Sequence, residues 1–228
     1  MKKIFLSILA CFAFVVCSNA QILRAEELER YAKERYGGRW EEAAGNLADS
    51  LSLDKNNALT YVQIIEAPGK TKGQLYIMLN YWYSATFNSG KAVIQLNDKD
   101  AGVIIGKGFV EKIAKHTGGV NKYTVHLEPI IKTDIKDNKI RVTYTIPFYT
   151  VVKMAGAGYM YSGSSNARPV RIDENWVLDE CFPFTLQDNH KKTSSKALVM
   201  AHAYSNVVMD KIEEAVKNGL VGNETEEW

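Results

Sequence analysis

Lys139-Ile140-Arg141-Val142-Thr143-Tyr144-Thr145-Ile146-Pro147-Phe148-Tyr149 is the stretch on which the fold turns. Ile140, Val142, Tyr144, Ile146 and Phe148 fall on one side of an extended chain. Arg141, Thr143 and Thr145 fall on the other. Successive side chains of a strand point to opposite faces, so this alternation predicts a strand with one buried and one wetter face. Lys122 to Glu128 repeats the pattern, with Tyr123, Val125 and Leu127 inward and Lys122, Thr124, His126 and Glu128 outward. Asp137-Asn138 supplies turn chemistry ahead of the longer stretch. Two such strands imply an antiparallel sheet covered on one face only.

Moving outward, Ala92 to Asn97 and Val103 to Val110 read as two more strands around the turn Asp98-Lys99-Asp100-Ala101-Gly102. Gly106 and Gly108 interrupt the second, and a glycine inside a strand marks a bulge or a close backbone approach. Lys72 to Phe87 carries Leu75, Leu79, Trp82 and Tyr83 at helical spacing, after a strand over Ala58 to Ile65 that ends at Pro68-Gly69. Leu28, Tyr31, Ala32 and Tyr36, then Trp40, Ala43, Ala44, Leu47 and Leu51, predict a helical hairpin broken at Gly37-Gly38 and packed on the main sheet. Ala197, Ala201, Tyr204, Val208, Ile212 and Ala215 predict a long closing helix, capped by Thr193 or Ser194 and stopped at Gly219. The expected fold class is therefore α+β. An antiparallel sheet, in the order strand, helix, four strands, helix, is covered on one face by helices.

Residues 1–20 have the layout of a secretory signal peptide: a basic start at Lys2-Lys3, an apolar run from Ile4 to Val16, and small residues at Ser18-Asn19-Ala20. A lipid anchor at Cys11 or Cys17 is the weaker reading, since Val15-Val16 fits a lipobox poorly and the run before Cys11 is short. The expected organisation is a signal at 1–20 and one domain over 21–228. That domain has a helical extension at 21–57, a core at 58–150, a loop-rich insertion at 151–192, and a helix with its tail at 193–228. The location expected is periplasmic or secreted, with no later membrane-spanning segment.

The 228 residues hold 28 Lys and Arg against 26 Asp and Glu. Lys2 and Lys3 account for the excess, so clipping the leader leaves the charge balanced. A nucleic-acid partner is not expected on that balance. Cys181 alone remains of three cysteines, which leaves no internal disulfide and an ordinary core to hold the domain.

Gly69-Lys70-Thr71-Lys72-Gly73-Gln74-Leu75-Tyr76, Trp82, Phe87, Val93-Ile94-Gln95 and Asp98 through Gly108 resemble a family of exported Bacteroidetes proteins, the domain of unknown function DUF4468. Ile130 to Tyr149, with Asp134-Ile135-Lys136 and Arg141-Val142, resembles its second half. The resemblance implies a TBP-like fold. It implies no activity, because the family has none assigned, and a fold alone carries no DNA-binding function.

Few residues carry recognisable chemistry. Gly69-Lys70-Thr71 ends like a phosphate loop but lacks its first glycine, since residue 64 is Ile. Gly102 to Gly108 has the wrong spacing. His116, His126, His190 and His202 form no metal-binding pattern, and Asn97, Asp98 and Asp100 lack the spacing of a calcium loop. No cofactor is expected. Cys181 with His190 is a thinly supported thiol pair. Asp173, Glu174, Asp179 and Glu180 flank Trp176 in the manner of a sugar-contacting loop. Tyr159, Tyr161 and Trp176 on the insertion, with His126 and Arg141 on the exposed sheet face beside Lys122, Thr124 and Thr143, are the expected binding residues. The function expected is a non-enzymatic binding or interaction module of the envelope with a protein or glycan ligand. The alternative is an envelope hydrolase acting on glycan or peptide.

Overall fold

The computed structural model describes residues 22–86, 93–117, 119–157 and 168–219. The leader expected at 1–20 lies outside them. The described elements are α1 (Ala25–Tyr36), α2 (Trp40–Ala48), β1 (Leu59–Glu66), α3 (Lys72–Thr86), β2 (Val93–Asp98), β3 (Val103–Lys107), β4 (Val110–His116), β5 (Lys122–Leu127), β6 (Ile130–Lys136), β7 (Lys139–Ile146), β8 (Phe148–Ala155), β9 (Val170–Val177), a 3₁₀ turn (Leu178–Glu180) and α4 (Lys191–Asn218).

The expected α+β class and the order of strand, helix, strands and closing helix hold, but the strands are more numerous and fall into two sheets. One runs β1-β7-β6-β3-β2 and the other β4-β5-β8-β9, with every neighbouring pair antiparallel. Three chain segments pass directly from one sheet to the other: β3 into β4, β5 into β6, and β7 into β8. They do so side by side, so the two sheets meet along a corner. Gly108-Phe109, Glu128-Pro129 and Pro147 mark it, and the Gly108 N–H donates to the Pro129 carbonyl across it at 2.9 Å. Proline lacks the donor a continuous ladder needs, which is why two of the three crossings fall there.

The single strand expected over 139–149 is thus two strands. Ile140, Val142, Tyr144 and Ile146 are buried as expected, but Phe148 is only half-buried and Tyr149 takes the core position. The phase slips by one residue at Pro147. The strand expected over 103–110 likewise ends at Lys107 and restarts at Val110. Beyond it, β4 bulges between Val110 and Ala114, with Lys112 at φ 58. Gly106 meets its expectation of close approach: a Cβ there would lie 2.6 Å from the Tyr83 ring. That ring packs from α3, and its hydroxyl donates to the Ile131 carbonyl at 3.1 Å.

α4 lies along the covered face of the sheets and is buried on several sides, because Ala197, Ala201 and Ala203 let neighbours approach closely. It contacts β1, β4 and α3 on one side. On the other, α2 packs on α4 and α1 packs on α4 and β4. The hairpin expected on the main sheet therefore has α4 between most of itself and the strands. A Lys196 ammonium to Glu29 carboxylate contact at 2.7 Å pins α1 to α4. The helix begins at Lys191, so Thr193 and Ser194 are buried in its first turn rather than capping it; it stops at Gly219 as expected. The opposite face of the five-stranded sheet is uncovered and exposes Val62 and Ile64.

Candidate functional site

The stretch 151–192, read from sequence as loop-rich, contains β8, β9 and the 3₁₀ turn among its described residues. β8 and β9 pair over eight residues each, from Phe148 opposite Val177 to Ala155 opposite Val170. Trp176 stands opposite Tyr149, and Glu174 opposite Val151. Tyr149 and Val151 are buried core residues, so Trp176 and Glu174 lie on the helix side of the sheet. β9 is an edge strand, and Trp176 is only half-buried there. Within the stretch expected to be loop-rich, Trp176 is fixed in a strand.

The residue immediately before α4 fills the space beside it. His190 stacks on Trp176 with ring centroids 4.7 Å apart and planes 3° from parallel. Tyr123 of β5 meets His190 at 4.6 Å and Trp176 at 5.8 Å. His116 of β4 adds a further ring 6.2 Å from Tyr123. The Trp176 Nε1–H donates to the Glu174 carboxylate at 3.0 Å, which fixes the indole's orientation. Each ring pair contributes about 0.5–1.5 kcal/mol beyond its buried area.

Asp188 sets the position of His190. Its carboxylate accepts the His190 N–H at 2.6 Å and the Phe182 N–H at 2.9 Å, and also accepts the Ser194 hydroxyl. One side chain thereby ties the 181–190 segment to the first turn of α4. The 3₁₀ turn is held from the other side, where the Asn57 amide donates to Asp179 at 2.7 Å.

The rings form a partition with a cavity on either side. One cavity, of about 500 Å³, is lined by Trp176 and His190 together with Glu174, Asp179, Glu180 and Asp188, and by the amides of Asn175, Gln187 and Asn189. No lysine or arginine lines it. The other, of about 440 Å³, is lined by His116, Tyr123, Asn121 and His190 with Lys191 and Lys192. The first carries no lysine or arginine and the second carries Lys191 and Lys192, while Asp188 and His190 line both.

Cys181 lines the acidic cavity but is buried. Burial pushes its thiol up to about 12, and the carboxylates of Asp188, Glu180 and Asp179 add to the effect. The thiol therefore stays protonated at neutral pH, which deprives the Cys181–His190 pairing of a nucleophile. Among the described residues, no group of three or more His, Cys, Asp or Glu is placed to hold a metal ion.

The expected binding residues that are described, Trp176, His126 and Arg141, lie on different faces. Tyr159 and Tyr161 lie outside the described residues. His126 lies on the face opposite Trp176, stacked on Phe109 at 5.5 Å and 17°, and its Nδ1 accepts the Lys112 N–H at 3.4 Å. Arg141 lies on the uncovered face of the other sheet, where its Nε and Nη2 donate to one Asp134 oxygen at 3.1 and 2.9 Å. Partial burial raises the Asp134 pKa, but Lys132 and Arg141 outweigh it and hold the carboxyl below its ordinary range. A small cavity of about 240 Å³ beside Ile64 and Arg141 is the concave feature there. Lys122, Thr124 and Thr143 share this outer side. Of the expected residues that are described, Trp176 alone belongs to the aromatic partition.

Tyr123 and Asp188 are residues that the sequence did not single out for binding, and His190 was weighed there only as a metal ligand or a partner of Cys181. Tyr123 read as core, which it also is. His190 and Asp188 stand just before a strongly periodic helix, and that position was their available signal.

The architecture is an α+β fold in which helices pack on antiparallel sheets. Residues 61–150 match the family described as "Domain of unknown function (DUF4468) with TBP-like fold". That match falls on the stretch whose sequence resembles the family. It is similar to a TBP-like protein from Parabacteroides distasonis, at 11% identity over 72% of this chain and 95% of that one, with a TM-score of 0.46. It is similar also to a DUF4468 family protein from Bacteroides ovatus, at 12% identity over 79% and 94%, with a TM-score of 0.45. No curated protein matches the chain. Among the described residues, no helix is long and apolar enough to cross a membrane.

Proposed function

We propose that this chain is a non-enzymatic binding module of the cell envelope, exported by its leader, with recognition seated at the Tyr123–His190–Trp176 partition. The observation that carries the reading is that partition itself: stacked rings on the rim of the core, each held by neighbours, with a ligand-sized cavity on either side. Concave sites with a few placed polar groups are where small molecules and chain ends bind. Rings already ordered before binding reduce the entropic cost of capture. The protonated Cys181 thiol favours contact over covalent chemistry.

The test is retention. The immobilised full chain is expected to retain a component of the envelope fraction, and Trp176→Ala to lose it. The component should elute with its mass unchanged. Equal retention by the variant would remove the partition from the reading. A shortened product in the eluate would replace binding with hydrolysis.

A further inference from the structure

Resting on that reading, we infer that the larger cavity receives a neutral sugar unit of a glycan. A sugar ring offers an apolar C–H face and a rim of hydroxyls, and the cavity offers a complement to each. Trp176 lines the cavity with its Nε1–H already committed to Glu174, which leaves ring carbon as the indole's remaining contact surface. Its tilt is set by the parallel His190 ring. Around it stand hydroxyl partners of both kinds: carboxylates that accept, at Asp179, Glu180 and Asp188, and amides that donate and accept, at Gln187 and Asn189.

The charge pattern selects among ligands. With four carboxylates and no lysine or arginine on the lining, phosphate, sulfate and uronic-acid groups are repelled. An amine would meet the right sign, yet three of the four acids already serve as hydrogen-bond fixtures. Asp188 holds the helix start, Asp179 holds Asn57 and Glu174 holds Trp176. An uncharged polyol uses their remaining lone pairs without requiring a free ion-pair partner. The volume, about 500 Å³, lies within the range of small-molecule sites.

Titration calorimetry on the full chain tests this with neutral tetrasaccharides of glucose (α- and β-linked), xylose and mannose. Sialyllactose serves as the anionic probe and a glucosamine tetramer as the cationic one. At least one neutral sugar is expected to bind saturably. Trp176→Ala should weaken it about tenfold or more, while Trp176→Phe, which keeps a ring against His190, retains most of the affinity. Asp179→Asn and Glu180→Gln remove charge but keep hydrogen-bonding atoms, and should change affinity by no more than about threefold. Thermal unfolding of each variant confirms that it is folded. Glucosamine binding that these two variants abolish would make the site a cation site and overturn the inference. Absence of any neutral-sugar binding, with envelope retention still dependent on Trp176, would overturn the sugar and leave the binding reading standing. If retention also survives Trp176→Ala, both fall.

Discussion

Two aromatic clusters sit on the helix-covered side of the two sheets, and they do different work. The interior cluster packs Tyr61, Tyr144 and Tyr149 of the strands with Tyr204 and His202 of α4. Tyr61 shares a hydrogen bond of 2.9 Å with the His202 ring, and the Tyr144 and Tyr149 hydroxyls are buried with no bond partner among the described residues. The marginal cluster of Tyr123, Trp176, His190 and His116 lies just beyond the N-terminus of α4. The same residue types thus build a core where a helix covers them and an open partition where it does not. The lesson is positional: the start of α4 draws the line between fold and site.

Truncations should expose the difference most strongly. Tyr204→Ala, deep in the interior cluster, is expected to cost about 3–5 kcal/mol in denaturant unfolding. Trp176→Ala should cost only about 1–2 kcal/mol while removing recognition. Equal costs would erase the distinction between the clusters.

Next in size is pH. Burial pushes the His202 ring down to about 4, from an ordinary 6.5, with the Arg35 charge contributing. The folded ring is therefore neutral where the unfolded one is protonated. Stability is full above about 6.5, falls as pH drops through that value, and stops falling through this group near 4. His202→Phe should flatten the profile over that window. An unchanged slope would mean that other groups set it. Tyr144→Phe is a subtler probe: deleting a hydroxyl with no partner should leave stability unchanged or raise it by about 1 kcal/mol. A clear loss would reveal a partner. Smallest of all, Glu128→Gln breaks a half-exposed pair with Lys107 and should cost no more than about 1 kcal/mol, less in high salt.

Alternation along the chain made the strands legible but not the sheets. From Tyr123 to Ile135 every second residue is buried without a missed beat, through Leu127, Pro129 and Ile131. Periodicity has no way to register that the chain crossed from one sheet to the other. At Pro147 the phase does slip, and the run Ile146-Pro147-Phe148-Tyr149 contains the break, but a strongly apolar tail masked it. The N-terminal hairpin, α3, α4 and the Gly219 stop followed from spacing because long amphipathic helices bury one consistent stripe. The site was legible only at Trp176, an aromatic among acids. Tyr123, Trp176 and His190 come from β5, β9 and the residue before α4, and no local pattern joins elements so far apart in sequence. For Arg141 and His126, an outward position on a strand says that a side chain is wet, not that it is unengaged; Arg141 donates to Asp134.

Amide hydrogen exchange on the full chain, with and without the component it retains from the envelope fraction, addresses the location of the site most directly. Slowed exchange is expected along 174–190 and around Tyr123, with the uncovered sheet face unchanged. Protection centred on Arg141, Thr143 and Ile64 instead would move recognition to the opposite side of the molecule and contradict the account.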